Sequence, residues 1–205
     1  MTTTLLLVRH AATPWTEERR LQGRTDIDLS PGGRSDAAAL RPLVDAWAPA
    51  TVITSPLART RSTAALLSDR DAVADARWME ASLGDWEGRT PDELGADYAA
   101  WRNGGLVPPG GEDLAQVRSR IRGAVGDAAA LPGPVLVVTH GGTIRAVLEA
   151  YLGLTADRIR PVAAPSLTVL DVDGADARLR AFNVQAEPEG LALTRSRVAP
   201  APSAG

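Results

Sequence analysis

Two short apolar runs, Leu5-Leu6-Leu7-Val8 and Val135-Leu136-Val137-Val138, constrain this chain more than any other feature. Neither alternates with polar residues, so neither suits a strand with one wetted face. Both read as strands covered on both sides, which is the situation in the parallel sheet of an α/β protein. Each run leads through one polar residue into a histidine, Arg9-His10 and Thr139-His140, and these are the only two histidines in the chain. Open α/β sheets bind their ligands beyond the carboxyl ends of the strands. Two groups that titrate near neutrality, both placed at such ends, point to chemistry.

The punctuation around these runs supports the same class. Ser30-Pro31, Ser55-Pro56 and Thr90-Pro91 each place a hydroxyl cap before a proline at the first helical position. Glu93 completes a capping box with Thr90, Leu94, Tyr98 and Trp101 share one face, and Asn103-Gly104-Gly105 ends that helix. Leu114, Val117, Ile121 and Val125 mark another helix, closed near Leu131-Pro132-Gly133. Strands are expected at 4–8, 51–54, 73–79, 134–139, 166–171 and 177–183, the last two around a hairpin turn at Asp173-Gly174 that forms an antiparallel edge. The alternation of strands and helices favours βαβ units with right-handed crossovers. No repeat is seen. One α/β domain over residues 1–197 is expected, followed by an Ala/Pro-rich tail at 198–205.

Composition removes several classes. The chain has 205 residues, 44% of them hydrophobic, enough for one sizeable core. A net charge of −3 gives no basis for a nucleic-acid or membrane surface, and no apolar stretch approaches the roughly 20 residues of a membrane helix. Cysteine is absent, which excludes disulfides, thiolate nucleophiles and cysteine metal sites. Met1-Thr2-Thr3-Thr4 lacks a basic leader region, so a cytoplasmic protein is expected. All 22 basic residues are arginine. Guanidinium binds oxyanions bidentately, but a genome-wide codon preference explains the bulk of this usage, and only particular arginines carry an argument.

Four polar positions meet the strand or helix ends: Arg9-His10, Arg59 in the first turn after Ser55-Pro56, Glu80 after the third strand, and His140 before Gly141-Gly142. If these ends converge, the pocket suits phosphoryl transfer. A neutral imidazole attacks phosphorus, a carboxylic acid protonates the leaving oxygen, and two arginines with a helix N-terminus hold the equatorial oxygens without a metal. Gly141-Gly142 lets backbone approach the phosphate. Gly141-Gly142-Thr143 does not spell G-x-G-x-x-G, and the first strand lacks that fingerprint too, so a dinucleotide site is not supported.

These residues resemble the histidine phosphatase superfamily, also called phosphoglycerate mutase-like, in five motifs in order between residues 5 and 145. Leu7-Val8-Arg9-His10-Ala11-Ala12-Thr13 is similar to its Arg-His-Gly signature, and Leu21-Gln22-Gly23 through Asp26 to Leu29-Ser30 to the next segment of that family. Ser55-Pro56-Leu57-Ala58-Arg59 through Thr63-Ala64 is similar to its Ser-x-Leu-x-Arg helix start. Glu80 with Leu83-Gly84-Asp85-Trp86-Glu87-Gly88 resembles the acid-bearing segment, and Val138-Thr139-His140-Gly141-Gly142 the second histidine motif. The resemblance implies a three-layer sandwich with a mostly parallel central sheet flanked by helices. It implies His10 as nucleophile and Glu80 as proton donor and later base. Arg9, Thr16, Arg59, His140 and Gly141 would grip the phosphoryl group, with His140 protonated for that task. No metal and no cofactor are implied. Glu87 is expected to be structural, and Arg24, Trp86 and Arg102 are candidates to border the leaving group with the loop at 103–112. Two departures stand out: Ala11 replaces the signature glycine, and Thr16 stands where relatives carry asparagine.

The expected activity is hydrolysis of a small phosphorylated metabolite. The compact stretch between Glu80 and His140 favours a phosphatase over a mutase, which passes the phosphoryl group to a second substrate oxygen. A weakly active phospholigand-binding module is the remaining alternative. The oligomeric state stays open, a homodimer included.

Overall fold

The computed structural model describes residues 2–186, so the expected tail at 198–205 and the end of the 1–197 domain lie outside the described residues. The elements run β1 (Thr3–Arg9), α1 (Pro14–Glu17), α2 (Pro31–Asp45), β2 (Thr51–Thr54), α3 (Ala58–Leu67), β3 (Ala72–Ala74), α4 (Pro91–Leu94), α5 (Ala96–Arg102), α6 (Leu114–Ala129), β4 (Val135–Thr139), α7 (Gly141–Leu152), β5 (Ser166–Asp173) and β6 (Asp176–Val184). One six-stranded sheet has the order β3-β2-β4-β1-β5-β6. β1 to β4 run parallel, β5 is antiparallel to β1, and β6 returns antiparallel to β5 through the expected hairpin.

The two apolar runs are neighbours at the centre of this sheet. Leu5 to Arg9 pair in register with Val135 to Thr139. Their side chains alternate between two cores, which explains why the sequence does not alternate. Leu5, Leu7, Val135 and Val137 pack with Ile121, Val125, Ile144 and Leu148 under α6 and α7. Leu6, Val8, Leu136 and Val138 pack with Leu40, Val44 and Leu67 under α2 and α3. Burying one such side chain is worth roughly 2 kcal/mol, so the central strands are the best anchored part of the fold. Helices therefore cover both faces, which gives the three-layer sandwich.

Three expectations change. The strand at 73–79 is only Ala72–Ala74; the Asp75 side chain accepts from Arg77 N at 2.8 Å and starts a 3₁₀ turn over Ala76–Trp78. That turn swings Trp78 into the core, where it is fully buried. The helix read from Ser55-Pro56 begins at Ala58 with Leu57 as cap, leaving the Ser55 hydroxyl for another partner. The helix capped by Thr90 and Glu93 breaks at Gly95, whose φ of 55° lies in the left-handed region, so α4 and α5 are separate. α1, capped by Thr13, was not expected.

Candidate active site

Because β1 and β4 are paired to their last residues, His10 and His140 emerge side by side. His10 N donates to Thr139 O at 2.9 Å, and the two rings meet edge to face with centroids 5.2 Å apart. Both are buried. His10 Nδ1 lies 2.7 Å from Ala11 O. A carbonyl only accepts, so Nδ1 carries the proton and the neutral ring keeps its lone pair on Nε2. Burial first, and then the Arg59 and Arg9 charges, hold His10 well below the ordinary histidine range. Ala11, fully buried with Leu29 and Ala37, donates its N–H to Thr63 Oγ1 at 3.1 Å. It is not among the residues with positive φ, so the alanine in place of glycine carries no backbone strain.

His140 caps α7 without a side-chain cap bond. Its Nε2 is 2.9 Å from Ser55 Oγ, while its buried Nδ1 has no partner among the described residues. Burial and then Arg59 push this imidazole far down as well. The resemblance implies a protonated His140, whereas its buried surroundings favour the neutral ring. A neutral ring accepting from Ser55 still presents Nδ1–H as a donor. Leaving such a group unpaired costs about 1–3 kcal/mol, which a bound oxyanion would relieve.

Arg59, the second residue of α3, is completely buried; it donates to Thr25 O at 2.8 Å and Gly23 O at 2.7 Å, and its Nε has no partner among the described residues. Burial lowers its pKa to about 10, which still leaves it charged at neutral pH. Arg9 donates to Val162 O, and its buried Nε likewise has no partner among the described residues. Its guanidinium lies over Gly141, where a Cβ would stand 3.2 Å from Nε.

Glu80 is seated on the N-terminus of α7. Its Oε2 accepts from Gly142 N at 2.9 Å and its Oε1 from Ala81 N at 3.1 Å. A Cβ on Gly142 would come within 2.3 Å of Oε1, so glycine there is a condition of this seat. The backbone before Glu80 is pinned from three sides. Thr139 Oγ1 donates to Trp78 O, Thr143 Oγ1 to Met79 O, and Arg120 to both Arg77 O and Met79 O. The residues predicted at four separate chain positions therefore share one end of the sheet.

Thr16 Oγ1 accepts from Thr13 N at 3.2 Å and Gln22 Nε2 at 2.8 Å, which occupies its lone pairs, and its proton has Thr13 Oγ1 as a partner at 3.2 Å. Glu87 has the structural role expected of it. Oε1 accepts from Arg24 N and Leu83 N, and Oε2 from Thr25 N and Thr25 Oγ1. Burial works to raise its pKa, but these hydrogen bonds win and keep it low. Arg24 is tied to Glu112 and Glu80 O, and Trp86 is buried against Trp101. Ser55, Gln22 and Arg145 were not singled out from the sequence as site residues. The signal for Arg145 was a charge in the otherwise apolar stretch Ile144 to Leu148, five residues after His140.

Two buried neutral histidines make stability depend on pH. Their folded pKa lies below the unfolded value, so the stability is complete above about pH 6.5 and is lost as the unfolded chain takes up protons below it. Lowering the pH from 7.0 to 5.5 is expected to cost roughly 2 kcal/mol for the pair. Urea unfolding in phosphate-free buffers checks this, and equal stability at the two pH values would contradict the depressed pair. Carboxylates held low, such as Glu87 and Glu112, add to the loss only at lower pH.

Comparisons with known proteins show the family and the fold. The family model for the histidine phosphatase superfamily (branch 1) matches residues 5–185. The chain is 35% identical over 170 residues to glucosyl-3-phosphoglycerate phosphatase of Mycolicibacterium vanbaalenii, covering 75% of this chain and 76% of that one. It is 32% identical over 179 residues to a protein named probable phosphoglycerate mutase GpmB of Erwinia tasmaniensis, covering 82% and 83%. The structure of a mycobacterial glucosyl-3-phosphoglycerate phosphatase complexed with VO3 superposes with a TM-score of 0.81 at 30% identity, covering 89% of this chain and 100% of that one. The chain belongs to the histidine phosphatase superfamily.

Proposed function

We propose that this chain hydrolyses a small phosphate monoester through a phosphohistidine formed on His10, with no metal taking part. The observation that carries this reading is the fixed tautomer of His10: Nδ1–H is committed to Ala11 O, so the lone pair sits on Nε2. Nε2 attacks phosphorus as the ester P–O bond breaks, and the Glu80 carboxylic acid gives its proton to the departing oxygen. Arg9, Arg59, the His140 Nδ1–H and the Thr16 hydroxyl hold the equatorial oxygens, with the N–H of Gly141 at the start of α7. Water then attacks the phosphohistidine, Glu80 takes its proton, the P–N bond breaks and inorganic phosphate leaves. The likeness to a protein named as a mutase supports a second reading, in which an oxygen of a second substrate replaces water.

Release of phosphate from an aryl phosphate in the presence of a chelator tests the scheme. Wild type is expected to remain active and to yield an acid-labile, alkali-stable phosphoenzyme after denaturing quench. Loss of activity on chelation would overturn the metal-free route. A phosphoenzyme that discharges only to an added phosphoglycerate or sugar acceptor would favour the mutase.

A further inference from the structure

Among the described residues, Glu112 takes no hydrogen bond from the groups assigned to the phosphoryl oxygens, yet contacts that hold the backbone of Glu80 converge on it. It ends the loop at 103–112, one residue before Asp113 caps α6, and its side chain is clamped between two arginines. Arg120, on the second turn of α6, donates Nε to Oε1 at 2.8 Å and Nη2 to Oε2 at 2.9 Å. Arg24 donates Nη2 to the same Oε2 at 3.0 Å. Burial works to raise the Glu112 pKa, but the Arg120 hydrogen bonds and the Arg120 and Arg24 charges keep it low and the carboxylate ionised. Both arginines give further N–H groups to the main chain around the acid. Arg120 Nη1 donates to Arg77 O at 2.6 Å and to Met79 O at 2.8 Å, and Arg24 Nε to Glu80 O at 3.3 Å. Glu112 N itself donates to Ser82 O at 2.9 Å. Four carbonyls between Arg77 and Ser82 are thus held by Glu112 or by a guanidinium that Glu112 holds.

A bidentate pair fixes the plane of a guanidinium, and that plane is what aims Arg120 Nη1 at two carbonyls at once. Without the carboxylate, two cations would converge on one point with nothing between them, and Arg120 and Arg24 would move apart. The backbone they hold carries the acid, and a displacement of ~1 Å at a reacting group costs about 10²-fold in rate. We infer that Glu112 is a positioning residue for the proton transfer, keeping the Glu80 carboxyl at the start of α7 through Arg120 and Arg24. The inference deepens the phosphatase reading and rests on Glu80 as the acid of that reading.

The test compares kcat/KM on an alkyl phosphate, whose leaving oxygen needs the proton, with kcat/KM on a nitrophenyl phosphate, whose leaving oxygen does not. Both values cover the steps up to departure of the leaving group. Both are measured on one preparation, so their ratio does not depend on how much of a variant is folded. In Glu112→Gln the alkyl-to-nitrophenyl ratio is expected to fall by about tenfold. Glu112→Asp keeps the charge and recovers part of the ratio. Arg24→Gln changes a side chain that is 37% exposed, so it spares the fold, and it moves the ratio the same way by about threefold. In the Glu80→Gln background, Glu112→Gln leaves the ratio where it was, because no acid remains to be positioned. An unchanged ratio in both Glu112→Gln and Arg24→Gln, or a fall that persists in full without the Glu80 acid, would overturn the positioning role and leave the phosphatase reading intact. If Glu80→Gln alone does not move the ratio, or if the wild type hydrolyses neither ester, the reading of Glu80 as the acid fails and the inference falls with it.

Discussion

Replacing His10 by alanine is expected to lower kcat by about 10⁴-fold or more, because no other group in the pocket can take over its step. Glu80 is held on Gly142 N and Ala81 N, and His140 Nε2 is tied to Ser55 Oγ. The substitution leaves Ala11 O without the imidazole donor, a change of order 1 kcal/mol, and vacates the space of a buried ring, so urea unfolding of the variant accompanies the activity measurement. His140→Ala removes a donor to the phosphoryl group but no reacting atom, and about 10²–10³-fold is expected for it. Single-turnover measurements with labelled ester, read as phosphate on the protein and phosphate in solution, check the pair. A His10→Ala protein that still forms a phosphoenzyme would require another nucleophile.

The parts of this site that were legible in the sequence are those fixed by local physics. A run with no polar alternation must be covered on both faces, so Leu5 to Val8 and Val135 to Val138 announce central strands. Residues just beyond the carboxyl ends of parallel strands lie at one edge of the sheet, and that brings Arg9-His10 and His140 together. That β1 and β4 are direct neighbours was not legible, since it depends on where the crossovers return the chain. Nor was the fate of Ser55. A hydroxyl before Pro56 is chemically suited to capping a helix and equally suited to holding an imidazole, and only the folded position of His140 decides between them. The third strand failed for a related reason. Val73 to Met79 contains apolar residues at strand-like spacing, but Asp75 captures Arg77 N and turns the chain. That turn matters to the proposed chemistry, because it carries Glu80 from an exposed edge strand to the start of α7.

The Glu80→Gln variant separates the two duties assigned to that carboxyl. Glutamine keeps the shape but puts an NH₂ where one of two backbone N–H groups, Gly142 N or Ala81 N, needs an acceptor, and it cannot exchange a proton. In the first half-reaction the cost depends on the leaving group. An alkoxide needs the proton badly, so kcat on an alkyl phosphate is expected to fall by about 10²–10⁴-fold. A nitrophenolate leaves nearly unaided, so phosphorylation of His10 should survive while water attack, which lacks its base, becomes slow. The two substrates then behave differently in kind: the nitrophenyl ester gives a burst of one equivalent and an accumulated phosphoenzyme, the alkyl ester gives neither. A loss of the same size on both esters, with no phosphoenzyme on either, would mean that Glu80 only anchors α7 to the 3₁₀ turn and that the proton comes from elsewhere. The seat itself can be perturbed without changing the acid. In Gly142→Ala a Cβ would meet Oε1 at 2.3 Å and push the carboxyl off the helix N-terminus. If position as well as chemistry matters, that variant shares the leaving-group dependence of Glu80→Gln while keeping a titratable acid.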